Sequence, residues 1–444
     1  MSEPQSQNNM SFSSKTLEYN SFEQLNKIHN LNKKQSNDYT LLGYKKDTIT
    51  DDLYDYRSLI FYNNKLLAYA PPKSISYELF KTSYPEHDEN LELELFVEGT
   101  MIMLYYNSET TTWETSTRGN IGATTSFFQN KSKKTFRNMF DEACNMSFLD
   151  INILNKELCY IFVMNHPDNR IVTRCDIPEL YLVKIYKIIN NEDNTFDVQV
   201  LNNLNSIKEE IPNTLIKYPD QLMNQLNLSI NDFKDESNNF HYEKLNAITK
   251  GFNYNIMGVV LYDKIRDIRT KIRNDRYEYV RKLRGNQPKL DYRYLELKKN
   301  KNINRYLQYY PEHKENFDEY WNKTKDFTND LYNNYVETHI TKNKQMSTVN
   351  KEFRPHIYNL HQYYLQDLRP NKYTLQKSHV ISYVNNLPEA MLLYALNYKK
   401  NKVLNLSIEI PDVSSDSFDD VPAAPRSKSN DKHPIDESIN TDIC

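Results

Sequence analysis

Between Lys264 and Arg305 the chain carries 15 Lys and Arg against 5 Asp and Glu, a net of +10. That leaves −13 for the remainder of a chain whose total is −3. Inside this stretch "IRTKIR" alternates, so that a strand there presents one basic face holding Lys271 and Arg273. Cations interleaved with Tyr277 and Tyr279 suit a surface that grips backbone phosphates and stacks on bases. A solvated helix whose tyrosines face the core has the same composition. The seven glycines are informative because a chain so poor in them keeps them where backbone geometry demands. "FVEGTMIMLYY", "TSTRGNIGA" and "NIMGVVLYD" each join a strand to a glycine, as a close approach of backbone to ligand requires, and as an ordinary tight turn does too. His166, before Pro167, has no nearby Ser or Cys nucleophile and reads as a turn residue. His356 and His361, five apart, miss a common helical face and give no metal spacing.

The elements that position these residues are strands first and helices later. "SLIFYNNKLLAYA" is two apolar runs joined by Asn63-Asn64, residues that tolerate the positive φ of a tight hairpin. "LELELFVEG", "MIMLYY" and "TWETST" follow as strands, and "SKKTFRNMFDEACNM" sets Phe136, Met139, Phe140 and Ala143 at helical spacing. "ELCYIFVMN", "RIVT", "LYLVKIYKII", "FDVQVL" and "NIMGVVLYD" return to strands, with "NNEDN" as a turn. Beyond about Tyr306 the pattern is helical, with Phe317, Tyr320, Trp321, Phe327, Leu331 and Tyr335 three to four apart, and Pro388 at a first turn. The reading is an α+β chain. Residues 1–50 form a mobile arm, 51–300 an antiparallel sheet domain, 301–405 a smaller helical domain, and 406–444 a disordered Ser/Asp/Pro-rich tail.

The order of the glycine segments resembles the covalent nucleotidyltransferase superfamily, and within it the phage-type RNA ligases and related proteins of large DNA viruses. Phe96-Val97-Glu98-Gly99 stands at the place of the family's K-x-D-G signature. "ETSTRGNIG" resembles the following strand-and-glycine segment, and "FVMNHPDNRIV" resembles the third motif, "FELVSPENRIV". "MGVVLYD" resembles E-G-x-V, and "RTKIRNDRYEYVRKLRGN" resembles K-x-K followed by a helix. Pro72-Lys73 resembles an upstream "K-F-F-N" element. The likeness runs from about Tyr56 to Asn286. It implies a nucleotidyltransferase-like sheet domain in which Glu98 bonds a ribose, Phe162 stacks on a base, and Lys271 with Arg273 holds a triphosphate. Arg118 and Arg170 become the phosphate or RNA contacts, ATP the nucleotide and RNA the partner, with Mg²⁺ needed only by an active site.

The departures are chemical. Phe96 replaces the lysine that attacks the α-phosphate, and a phenyl ring has no lone pair to offer phosphorus. Val163 and Met257 replace acidic residues, and apolar side chains give Mg²⁺ no oxygen ligand. Glu98, Arg118, Arg170, Lys271 and Arg273, which bind ribose or phosphate, are kept. Binding groups without reacting groups describe a catalytically degenerate protein that holds a nucleotide or RNA end. Two alternatives stand beside it: an active ligase or capping-type enzyme using Lys73, and a virion or structural interaction protein with a vestigial pocket.

Composition sets outer limits. No apolar run approaches the ~20 residues that span a bilayer, and no signal layout opens the chain. Cys144, Cys159, Cys175 and Cys444 lie far apart, with neither disulfide nor zinc spacing. The expectation is structural thiols in a reducing cytoplasm, the host's or the virion's setting following only from the viral resemblance.

Overall fold

The computed structural model describes residues 10–84, 90–126, 134–201, 204–208, 211–263 and 265–399. The expected tail, 406–444, lies outside them. The chain divides into two compact units, one running to Asn286 and the other from Gln287. The first holds β1 (Phe12–Lys15), β2 (Leu31–Ser36), β3 (Tyr39–Tyr44), β4 (Leu59–Tyr62), β5 (Lys65–Tyr69), β6 (Leu91–Leu95) and β7 (Thr100–Asn107). It continues with β8 (Thr112–Thr117), β9 (Asn120–Ile121), β10 (Leu158–Asn165), β11 (Glu179–Asn190), β12 (Phe196–Leu201), β13 (Gly258–Asp263) and β14 (Ile268–Arg273).

These strands make three antiparallel sheets: β1-β12-β11-β10-β7-β8-β9, β2-β3-β4-β5, and β14-β13-β6. The α+β reading with antiparallel sheets therefore holds. The expected arm does not. Residues 12–15 pair with β12, and residues 31–44 form the hairpin that opens the four-stranded sheet. Leu25, Leu41, Leu42 and Tyr44 enter the core, and this burial is what orders a segment too polar to declare itself in sequence.

The seven-stranded sheet is covered on both faces. One face meets the four-stranded sheet through Met101, Met103, Cys159, Ile161 and Tyr186. The other takes the helix Phe136–Met146 through Ile102, Leu104, Tyr160, Phe162 and Met164. β10 is consequently buried at all eight positions, the continuous apolar run of a central strand. The β4–β5 turn is as its residues require, with Asn63 and Asn64 at φ 47° and 66°. The three-stranded sheet has its own core, shared with the helices Tyr77–Ser83 and Tyr242–Lys250.

"RIVT", expected as a strand, is a bend. The amides of Val172 and Thr173 donate to the Glu98 carboxylate instead of to a neighbouring strand, so no ladder forms there.

The second unit is helical in its described residues. The helix Lys314–Tyr335 buries Phe317, Phe327, Leu331 and Tyr335 along one stripe, while Trp321 stays exposed. Pro388 stands at the N-cap of the helix Glu389–Leu396, one position before its first turn. His356 pairs with the Tyr383 hydroxyl, whereas the His361 ring stacks on His339.

Candidate functional site

β6 delivers Phe96 and Glu98 from its end, and the pairing of β6 with β13 and of β13 with β14 brings Lys271 and Arg273 beside them. Phe96 is 3% exposed, its amide donating to the Gly258 carbonyl. Over its ring lie Lys271 Nζ at 4.5 Å from the centroid and Arg273 Cζ at 5.2 Å. An aromatic face attracts cations, so the residue that departs from the signature carries the two cations expected to hold a triphosphate. Arg273 also bonds Glu278 at 2.7 Å. Burial alone would raise Glu278, but Arg281 and Arg273 hold it below the ordinary carboxylate range.

Glu98 is buried, and its oxygens accept from the Val172 amide at 2.9 Å, the Thr173 amide at 3.0 and 3.1 Å, and the Thr173 hydroxyl at 3.2 Å. Burial raises its pKa and these bonds pull against it. The carboxylate thus fixes the 170–173 bend. Arg170 does the same from the other side, donating to the Val172 carbonyl from Nε at 3.1 Å and from its terminal nitrogen at 3.0 Å. Gly99, at φ 151°, and Gly258, at φ 143°, are required by neighbouring backbone. A Cβ at Gly99 would stand 2.4 Å from the Met164 carbonyl, and one at Gly258 2.1 Å from the Ile272 carbonyl.

The space between the seven-stranded and three-stranded sheets, bordered by Phe96, Val163, Val260 and Lys271, has a volume of about 30 Å³. That is room for roughly two waters. A nucleotide does not fit there. The expected base platform, Phe162, is fully buried on the opposite face of β10, packed at 5.7 Å against Phe140. Strand alternation decides this, since Ile161 and Val163 face the cleft and Phe162 therefore cannot. Val163 and Met257 are both buried and supply no oxygen to a cation. Among the described residues no group of three or more His, Cys, Asp or Glu is placed to hold a metal. The donor set does not fit the ion that the family chemistry would need.

Lys73, the substitute nucleophile considered above, rests its ammonium 3.9 Å from the centroid of Tyr54 and lines neither cavity described here. His166 closes its own turn, Nδ1 accepting from the Asp168 amide.

A second, larger cavity adjoins the first through Arg57 and Met101, which border both. Its volume is about 410 Å³. Lys34, Lys46, Arg57, Arg118 and Arg284 line it together with Phe136, and among the described residues no Asp or Glu does. Arg118 reaches it from the β8–β9 turn, its guanidinium 4.8 Å over the Tyr44 ring. On the same wall Thr100 accepts a bond from the Asn169 side chain at 2.8 Å. The structure therefore splits the predicted residues: Phe96 and Lys271 line the small cleft, Arg273 lies over the Phe96 ring, Arg118 faces the large cavity, and Glu98 and Arg170 pin the bend at 170–173.

Sequence reasoning missed Lys34, Lys46, Arg57, Phe136 and Arg284. It also missed a buried charge group behind the cleft. There Lys184 Nζ lies 3.8 Å from Asp267 and 3.0 Å from the Tyr262 centroid, and the Tyr186 hydroxyl donates to Asp267 at 2.8 Å. Burial lowers Lys184, and burial with the nearby Arg57 lowers Arg269. The only sequence signal for these was charge inside apolar strand runs, as in "LYLVKIYKII".

No known family profile matches the chain. An RNA ligase of Rhodothermus phage RM378 is 31% identical over 109 residues, which are 23% of this chain and 24% of the phage protein, so the likeness spans about a quarter of that relative's length. Among solved structures, a mutant Naegleria gruberi RNA ligase with ATP and Mn overlaps 47% of this chain and 57% of its own, at 13% identity and a TM-score of 0.31. An archaeal ATP-dependent RNA ligase overlaps 58% and 59%, at 11% identity and a TM-score of 0.35. Scores below 0.5 describe a loose overlap, on which no property of this chain rests. The motif resemblance and the sequence match to the phage enzyme agree: over about a quarter of its length this α+β chain is similar to an RNA ligase.

Proposed function

We propose that the chain binds a nucleotide or an RNA end without forming a covalent adduct. The observation that carries this reading is Phe96, buried beneath Lys271 and Arg273 where the resemblance puts an attacking amine. Ligase chemistry begins with an amine forming a bond to phosphorus, and a phenyl ring cannot begin it. The cavity beside it, lined by five cations, supports retention of phosphate binding, with Arg118 as a phosphate contact. ATP is the first nucleotide to try, as the one that the motif resemblance implies. A viral setting, in host cytoplasm or in the virion, accords with the phage relative.

The test has two steps. Purified protein is incubated with α-labelled ATP or GTP and Mg²⁺ or Mn²⁺, then run on a denaturing gel; no labelled band is expected. A band that disappears in Lys73→Ala would instead establish a lysyl-nucleotide enzyme. Titration with 5′-phosphorylated RNA and with ATP follows, Arg118→Ala binding roughly tenfold more weakly than wild type, the scale of one charged contact. Negligible binding by wild type would leave a structural interaction protein.

A further inference from the structure

We infer that the stacked imidazoles of His339 and His361 are a proton-operated latch in the second unit, closing the ends of two helices together while both rings are neutral and releasing them on acidification. The latch owes nothing to the nucleotide-binding reading and stands without it.

The geometry of the two helix ends carries it. The helix Lys314–Tyr335 runs on into a π turn, Val336–Ile340, and the helix Arg354–Tyr363 into another, Tyr364–Leu368. Such turns are rare and recur at functional sites. His339 lies in the first of them, and His361 in the last α-helical turn before the second. The two rings are 3.9 Å apart between centroids and 13° from parallel.

The groups that face the pair are tyrosines. The Tyr335 ring is 5.2 Å from that of His339, its hydroxyl meets His361 Nδ1 at 3.4 Å, and the Tyr364 ring stacks on His361 at 5.9 Å. Of the other titratable groups on the same and adjoining elements, Glu337 pairs with Lys344 at 3.3 Å, Asp367 and Arg369 are exposed, and His379, from the helix Lys377–Asn386, meets Tyr363. His339 Nε2 is buried and has no hydrogen-bond partner among the described residues. A proton there finds no acceptor, and a second imidazolium at 3.9 Å adds direct repulsion. Burial and the facing His361 hold His339 below the ordinary 6.5, so they outweigh the pull that free carbonyls in a final helical turn exert on a cation. The folded chain therefore binds fewer protons here than the unfolded one, and the latch weakens as pH falls through 6.5.

Hydrogen–deuterium exchange on the full-length chain reads the latch. Corrected for the intrinsic rate, amides of 336–341 and 364–369 are expected to exchange about tenfold or more faster at pH ~5.5 than at pH ~7.5, with β7 unchanged. His339→Phe and His361→Phe each keep an aromatic ring in the stack and remove one proton site, so both should abolish the acceleration. His356→Gln, which removes the buried imidazole bonded to the Tyr383 hydroxyl at 2.9 Å, should retain it. In imidazole NMR spectra the His339 midpoint should rise toward 6.5 in His361→Phe. Equal protection of wild type at both pH values would overturn the latch, and this needs no variant to fold. Acceleration that survives both Phe substitutions, or disappears in His356→Gln, would overturn it too, as would a His339 midpoint unmoved in His361→Phe.

Discussion

Restoring a lysine at position 96 should cost stability and should not restore chemistry. In Phe96→Lys an ammonium would replace a ring that has Lys271 Nζ at 4.5 Å and Arg273 Cζ at 5.2 Å from its centroid. At an effective dielectric of about 20, each like charge at such a distance costs roughly 3–4 kcal/mol. The new amine can escape by shedding its proton, which caps the cost near the ~4–5 kcal/mol needed to deprotonate a lysine at pH 7. Phe96→Leu is the control, since it removes the cation–π contacts and some volume for about 1–2 kcal/mol without adding charge. The two variants should therefore differ by roughly 3 kcal/mol at pH 7.

The sign with pH follows from the proton count. The lysine's pKa is lower folded than unfolded, so the unfolded chain binds more protons and stability rises with pH, by up to about 1.4 kcal/mol per unit. The gap should close substantially between pH 7 and pH 9. Urea unfolding followed by the buried Trp113, in a Trp321→Phe background, reads the first unit alone. A gap under about 1 kcal/mol, or one unmoved by pH, would refute the placement of two cations over Phe96. Phe96→Lys should also remain unlabelled by α-labelled ATP, because Val163 and Met257 still offer no metal ligand and the cleft remains about 30 Å³.

Gly258→Ala should destabilise the first unit by more than about 3 kcal/mol, because a Cβ would stand 2.1 Å from the Ile272 carbonyl at φ 143°, and circular dichroism melts would show it. Gly119→Ala, whose Cβ meets only the Lys34 ammonium at 3.6 Å, should change little. Glu98 has its pKa raised by burial from the ordinary 4.5, so the stability tied to its protonated form is complete below 4.5 and is lost as pH rises through the folded value. Unfolding free energies of wild type should accordingly gain on those of Glu98→Gln as pH is lowered toward 4.5; a constant difference would contradict the raised pKa. Cys144, Cys159 and Cys175 are each pushed up to about 12 by burial, so at pH 8 their thiols should resist iodoacetamide until the chain is denatured, as peptide mass mapping would show.

Much of the strand order was legible because apolar runs and turn residues act locally. The Asn63-Asn64 hairpin, the basic face of β14 and the helix carrying Met139 and Phe140 all appear where their spacing puts them. The arm was misread because β2 is polar along most of its length and owes its place to β3. "RIVT" was misread because a carboxylate 74 residues earlier takes its amides. Phe162 was misplaced because a motif gives a position but not a face, and one step along β10 moves a side chain from the cleft to the opposite core.

From the residues alone came the strand-then-helix order, the basic stretch, the ligase resemblance and the absence of an amine at position 96, since each depends on identity or short-range pattern. Only the tertiary structure decided that Lys271 and Arg273 cap Phe96, that the cleft is nearly filled, and that Lys34, Lys46, Arg57, Arg118 and Arg284 converge on a different cavity. These five cations come from three separate parts of the sequence, 34–57, 118 and 284. What unites them is sheet pairing and burial, which act between residues far apart in the chain and leave no local spacing to read.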